Sequence, residues 1–328
     1  MKEVEIIAEV GINHGGDFDH CANLITAASD SGANSVKLQI VDPKMSYMEN
    51  TLSYETFKDS SLSFEALSDL MQLSKEKDIV LFSTPGDFNS LELMLKLEMP
   101  IIKISSGLMT NYPLIEESIK TKLPLIISTG MAEEEEIDDL VNFLEQKNAK
   151  DVSLLKCTSV YPSPTNLLNL NGIRYMQKKY PKYKIGYSDH CLYPLACLSA
   201  VAIGARVIEK HFTLDKTLVG GDHFLSAEPN EFRALVEQIR IVEGMLGEEK
   251  IQISLEEKEQ KKYRYRSLVS IQNIAKGEEF TKENVGLLRP QKDKIGAPAK
   301  YYYQLLGQKA NNAIGKNQPI TLNLFEHE

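Results

Sequence analysis

Between Lys184 and Thr213 the chain reads KIGYSDH, then an Ala- and Leu-rich stretch of helix length, then VIEKHFT. Two β-type runs therefore each end in a histidine, His190 and His211, with Asp189 and Lys210 beside them. If the runs are parallel neighbours joined by a helix, their C-terminal ends lie side by side. The two imidazoles then converge on one ion, and all four residues crowd one rim. Neutral imidazole suits Mn²⁺, Fe²⁺, Zn²⁺ and similar ions. A lone buried histidine is more often satisfied by hydrogen bonds, whereas a pair at neighbouring strand ends points to a metal or catalytic role. Two imidazoles leave coordination positions for water and substrate, which describes an open catalytic centre and not a closed structural one.

Three lysines, Lys37 in SVKLQI, Lys103 in IIKISS and Lys210 in VIEKHFT, each interrupt an apolar run. A lysine buried there is costly unless it meets an anion, so the three imply a phosphate or carboxylate substrate. Salt bridging to Glu9 or Glu209 is the structural alternative for any one of them. Hydroxyls such as Thr84, Ser106, Ser159 and Ser188 fall at neighbouring run ends and can complete an anion cradle. Glu9 is placed to orient a lysine or accept a hydroxyl proton.

The elements that must position these residues alternate regularly. β-type runs cover Glu3 to Val10, Ser35 to Ile40, Ile79 to Pro85, Ile101 to Ser106, Pro124 to Thr129, Val152 to Thr158, Lys184 to His190 and Val207 to Thr213. Amphipathic stretches separate them: one starts near Asp19 and ends at Gly32, one is capped by Ser63, and one opens with Glu133 to Glu136. Those four acids read as a solvated helix start favoured by the dipole, not as a metal site. A longer insertion, Val41 to Leu62, has little periodicity. Eight strands and eight helices in about 250 residues fit a closed (β/α)8 TIM barrel, whose chemistry sits at the strand C-termini. A doubly wound open sheet is the runner-up, and the absence of GxGxxG after the first strand weakens its dinucleotide-binding form.

The barrel is expected over 1–250. A charge-rich linker or exposed helix follows over 251–266, and a compact β-rich module with a thin core over 267–328. The net charge of −9 argues against a nucleic-acid surface, so any anion site must be a local basic pocket. No run approaches bilayer length and the start lacks signal-peptide character, so a cytoplasmic protein is expected. The four cysteines form no CxxC pair, and reduced thiols are expected.

Ordered motifs cover nearly the whole chain: AEVGINHGGDFDHCANLITAASDSGANSVKLQ, FSTPGD, KISSG, STGMA, KCTSVYPSP, GYSDH, GARVIEKHFTLDK, GGDHFLSAEP, LLRP and LLGQKA. Together they resemble the N-acetylneuraminate (sialic acid) synthase family, which includes the pseudaminic and legionaminic acid synthases. The last sixty residues resemble its antifreeze-like (SAF) domain. The resemblance implies condensation of phosphoenolpyruvate with an N-acetylated amino-sugar aldehyde to a nine-carbon 2-keto acid, with release of phosphate. It implies a divalent metal, Mn²⁺ or Mg²⁺, on His190 and His211, and phosphoenolpyruvate on Lys37, Thr84, Lys103, Ser106 and Ser188. Glu9 matches the family's first-strand acid, Asp222 a sugar-binding aspartate and Tyr161 an acceptor position. Arg289 matches an arginine that the SAF domain lends to a partner's barrel in a swapped homodimer.

Two positions depart from the family pattern. Leu108 stands where a glutamate is usual, and Ser159 where sialic acid synthases commonly carry asparagine. Two alternatives stand beside the synthase reading: a 3-deoxy-octulosonate or heptulosonate synthase-like activity on a sugar phosphate, and a non-catalytic sugar-binding relative.

Overall fold

The computed structural model describes residues 3–324. Eight parallel strands, β1 (Glu5–Gly11), β2 (Ser35–Ile40), β3 (Val80–Pro85), β4 (Ile102–Ile104), β5 (Leu125–Ser128), β6 (Val152–Cys157), β7 (Lys184–Asp189) and β8 (Val207–His211), pair in sequence order and close into a barrel. β1 closes on β8 in a register that sets Glu9 opposite His211. The TIM barrel is therefore the fold, and the open doubly wound sheet is excluded by the β1–β8 pairing.

Period-two alternation divides each strand between two environments. Ile7, Phe82, Ile126, Leu155 and Val207 point inward and plug the barrel as one apolar cluster. Ile6, Ala8, Ile104, Ile127, Leu154 and Ile208 point outward and pack under the helices in the main core. Each such Leu, Ile or Phe contributes about 1.5–3 kcal/mol when fully buried. Glu9, Lys37, Lys103 and Glu209 lie two positions beyond inward-facing residues or share their parity, so they face the axis above the plug.

The same parity corrects the expectation that Asp189, His190, Lys210 and His211 share one rim. His190 and His211 face the axis. Lys210 follows Ile208 outward, and its Nζ pairs with Asp189 Oδ2 at 2.8 Å, with both side chains buried. Tyr187 donates to the other Asp189 oxygen at 3.0 Å. Lys210 is thus a structural ion pair between strands and helices, because a residue one step along a strand always turns to the opposite face.

Helix starts follow their caps. Asp17 accepts from the His20 N–H ahead of helix Phe18–Asp30, after which Gly32 takes the left-handed conformation at φ +83°. Ser63 caps helix Phe64–Glu76, and Glu133 with Glu136 forms a capping box before helix Glu134–Gln146. The insertion after β2 holds two short helices, Pro43–Ser46 and Leu52–Asp59, each too brief for sequence periodicity to register.

The chain divides into compact units 1–247 and 248–328. In the second, helix Leu255–Arg264 occupies most of the charge-rich stretch. Strands β9 (Ser267–Ser270) and β10 (Val285–Leu288) pair antiparallel over a core that includes Leu268, Phe280 and Ile320. No helix among the described residues is long and apolar enough to cross a membrane.

Gly186 faces the axis on β7 with no room for a side chain. A Cβ there would stand 2.4 Å from a Leu155 methyl and 2.5 Å from the Val207 carbonyl oxygen. Gly186→Ala is expected to cost about 1–3 kcal/mol in urea unfolding; an unchanged midpoint would show that the barrel yields there.

Candidate active site

Above the apolar plug a cavity of about 480 Å³ opens at the C-terminal mouth of the barrel, where chemistry is expected in this fold. Its floor is a charged cluster. Lys37 Nζ lies 2.7 Å from Glu9 Oε2 and 3.9 Å from Glu209 Oε2, while Lys103 Nζ lies 3.7 Å from Glu209 Oε1. All four residues are buried. Lys37 also donates to Thr84 Oγ1 at 3.3 Å and Lys103 to Ser128 Oγ at 2.7 Å. Ser188 donates to Glu209 Oε1 at 2.7 Å, and the Gln39 amide to Glu9 Oε1 at 2.8 Å.

Burial pulls these groups toward neutrality, and their partners decide the outcome. Burial raises the Glu9 carboxyl, against the pull of Lys37. Burial also works to raise Glu209, but Lys103 and Lys37 outweigh it and hold that carboxyl below its usual range. Lys37 is likewise opposed by burial, yet Glu9 and Glu209 lift it; burial dominates at Lys103 and lowers it. Glu209 is therefore the fixed anion of the cluster, and Glu9 is the carboxyl that takes up a proton more readily.

One wall carries the imidazoles. The His190 and His211 ring centroids are 5.2 Å apart, a gap that one ion at about 2.1 Å from a nitrogen of each ring can span. His190 Nδ1 lies 2.9 Å from the Thr158 carbonyl. A carbonyl only accepts, so Nδ1 carries a proton; burial works against a second, but Cys157 and this carbonyl raise the ring's proton affinity, and in the neutral form Nε2 offers its lone pair. His211 Nδ1 is buried without a hydrogen bond, and burial and then the His190 and lysine charges hold its pKa well down. A neutral imidazole with an orphaned buried nitrogen fits a metal ligand. Among the described residues no three His, Cys, Asp or Glu side chains gather into a complete metal cage. The pair would leave coordination open.

Tyr161 lies over His190 with centroids 4.1 Å apart, and Asp222 Oδ2 is 3.6 Å from His211 Nδ1. The loop carrying Asp222 is held by Asn13, which accepts from the Asp222 N–H at 2.8 Å and donates to the Phe212 carbonyl at 2.9 Å. Ser106 and Ser159 line the cavity; Ser106 Oγ accepts from the Gly130 N–H at 3.0 Å.

Of the residues expected from sequence, the structure thus gathers Glu9, Lys37, Lys103, Ser106, Ser159, Tyr161, Ser188, His190, His211 and Asp222 around one cavity, with Thr84 off its lining as a partner of Lys37. Lys210 lies behind the wall with Asp189. Arg289 is exposed just beyond β10 in the second unit. Sequence reasoning passed over Glu209 as a site residue, as well as Cys157, Tyr47 and Phe57. The parity of β8 was the available signal for Glu209, since it shares a face with His211. Leu108 sits in a tight turn after β4 and packs partly buried against the outer core, off the cavity lining.

A family model described as the NeuB family matches residues 24–251, and an SAF domain model matches residues 265–326. The chain belongs to the NeuB family. It is 38% identical over 336 residues to the N,N'-diacetyllegionaminic acid synthase of Campylobacter jejuni, covering 98% of this chain and 99% of that one. It is 33% identical over 340 residues to the pseudaminic acid synthase of Helicobacter pylori, with 99% of each chain covered. Among solved structures, the N-acetylneuraminic acid synthetase of Leptospira borgpetersenii in complex with citrate superposes with a TM-score of 0.76 at 35% identity. That superposition covers 80% of this chain and 92% of the other. The family expected from the motifs is thereby met in both the barrel and the SAF domain.

Glu209 is the hinge of the charge balance in this NeuB-family site. Glu209→Ala strands Lys103 without a carboxylate in a buried setting and is expected to cost about 3–5 kcal/mol in denaturant unfolding. A loss below about 1 kcal/mol would show that the cluster is hydrated and weak.

Buried His14, which lines a separate cavity of about 210 Å³, is lowered to about 4 by burial and then by His20. The unfolded imidazole binds its proton near 6.5 and the folded one only near 4, so stability falls as pH drops through that window. The slope is at most about 1.4 kcal/mol per pH unit. His14→Gln should flatten the stability profile between those two pH values, and an unaltered slope would place the titration elsewhere.

Proposed function

We propose that this protein condenses phosphoenolpyruvate with an N-acetylated amino-sugar aldehyde, giving a nine-carbon 2-keto acid and phosphate. The observation that carries this reading is the meeting of two buried lysines, two buried carboxylates and two buried imidazoles in one cavity. Lys37 and Lys103, with Thr84, Ser106 and Ser188, form the cradle for the enol phosphate. Their charges are already matched by Glu9 and Glu209, so an incoming polyanion needs further positive charge nearby. A divalent ion, Mn²⁺ or Mg²⁺, on His190 and His211 would supply it; when bound, it would also polarise the aldehyde oxygen.

In this reading the enol carbon attacks the aldehyde carbon and forms the new C–C bond. Water then adds at the former enol-ether carbon, and the C–O bond to phosphate breaks as phosphate leaves. Glu9, the carboxyl whose proton affinity burial raises, is placed to exchange a proton with the acceptor side. Tyr161, Ser159 and Asp222 line the acceptor's end. Arg289, delivered by a partner's SAF domain in a swapped homodimer, and a cytoplasmic setting belong to the same proposal.

A sugar-phosphate acceptor is not favoured. Among the described residues lining the cavity, the lysines and arginines are Lys37 and Lys103 alone, and both are already paired. Within the barrel itself a second phosphate would have no cation of its own. A purely binding role is not favoured either, since Glu9, Glu209 and Asp222 still face the cavity although position 108 is leucine.

Phosphate release from phosphoenolpyruvate is expected only when a 2-acetamido or 2,4-diacetamido sugar aldehyde is supplied, to stop with a chelator and to resume with Mn²⁺. His211→Ala should lose Mn²⁺ binding in electron paramagnetic resonance titrations of the free protein. Full turnover in the presence of chelator, or unaltered Mn²⁺ binding by the variant, would sink the metal assignment. Release with phosphorylated sugars alone would sink the acceptor class.

A further inference from the structure

Residues 41–63, between β2 and helix Phe64–Glu76, far exceed the two to six residues such a connection needs. The segment is clamped to the barrel at both ends. Buried Asp87 accepts from the Asp42 N–H at 2.8 Å and from the Ser46 hydroxyl at 2.9 Å. At the far end Gly16, at φ +79°, approaches so closely that a Cβ on it would stand 2.5 Å from the Asp59 carbonyl oxygen. A long excursion held this firmly presents whatever it carries in a fixed place.

What it presents to the catalytic cavity is aromatic. Tyr47 and Phe57 line the cavity side by side, with ring centroids 5.2 Å apart and planes 24° from parallel. An enol phosphate gains little from such a wall, because its recognition is ionic and the charges lie in the floor. The polyhydroxylated body of a sugar likewise asks mainly for hydrogen bonds. The apolar parts of an acylamino sugar are the methyl ends of its acyl groups. Phe57 and Gln39 also line a second cavity of about 210 Å³, whose other walls mix apolar Leu38, Ile40, Leu62 and Leu93 with polar side chains such as His14 and Asp42. The Phe57 ring thus borders both the catalytic cavity and this partly apolar chamber.

We propose that the Tyr47–Phe57 stack is the acceptor-specificity element of this protein. It receives the methyl end of an acylamino substituent, and Phe57 sets the length of acyl group accepted by closing off the partly apolar chamber. The inference rests on the synthase reading above. It goes beyond it by naming which part of the acceptor is read, and by which residues.

The test compares kcat/KM for N-acetyl, N-propanoyl and N-butanoyl versions of one amino-sugar aldehyde, using the full chain with Mn²⁺ and saturating phosphoenolpyruvate. In Phe57→Ala the two cavities merge, and the butanoyl-to-acetyl ratio is expected to rise at least about tenfold, the scale on which one or two methylenes discriminate. Tyr47→Phe keeps the stacked ring and should keep the wild-type ratio. An equal fall for all acyl lengths would assign the wall to the sugar ring and overturn the proposal, as would an unchanged ratio. Should Phe57→Ala not fold, Phe57→Leu reads the same ratio, with a smaller rise expected and no rise counting against. If the wild type releases no phosphate with any acceptor, the synthase reading fails by itself. Calorimetric binding of the same acyl series would then still have to shift toward longer chains in the Phe57 variant.

Discussion

Four buried charges inside a closed barrel impose the constraint on which this molecule is built. Lys37 and Lys103 cannot stay ionised beneath a cavity without anions, and Glu9 and Glu209 cannot stay there without cations. The strands beneath supply an apolar plug from Ile7, Phe82, Ile126, Leu155 and Val207, which denies the cluster a watery escape on one side. On the other side the mouth is open. The cluster is thus balanced when empty, and any added negative charge must bring or find a counter-charge. The neighbouring imidazoles, of which burial holds His211 neutral, are suited to supply one through a divalent ion.

That arrangement separates two sets of residues. The ion pairs belong to strand residues, whose positions the barrel register sets. The cavity residues outside the strands come from loops: Tyr161 after β6, Asp222 after β8, and the clamped excursion bearing Tyr47 and Phe57, to which the proposed reading gives the acceptor. Such a division is natural to the fold, because loop sequences can vary without disturbing the pairing that holds the charged floor. It also gives Leu108 a simple place. The residue packs against the outer core, and the carboxylates that face the cavity come from β1, β8 and the β8 loop.

Legibility differed by element. The eight strands were readable because each is a short, mostly apolar run recurring at regular spacing, and the helices because Ser63 caps one, Glu133 to Glu136 opens another and Gly32 closes a third. The short helices Pro43–Ser46 and Leu52–Asp59 were not, since one or two turns cannot display a period of 3.6. Lys210 and Asp189 were misplaced by reasoning from proximity in sequence to the histidines. The alternation that puts His211 on the axis necessarily puts Lys210 behind the wall.

The sequence by itself determined the barrel, the paired histidines, the anion-seeking lysines and the resemblance to one family, because residue type and spacing along each strand carry that information. Only the tertiary structure decided that Glu209 joins both lysines, that His211 Nδ1 is left without a hydrogen bond, and that Phe57 borders two cavities. Those facts depend on barrel closure and on where a long loop is clamped. Closure brings together side chains from residues 9, 37, 103 and 209, and no local pattern in the chain records a meeting at that range.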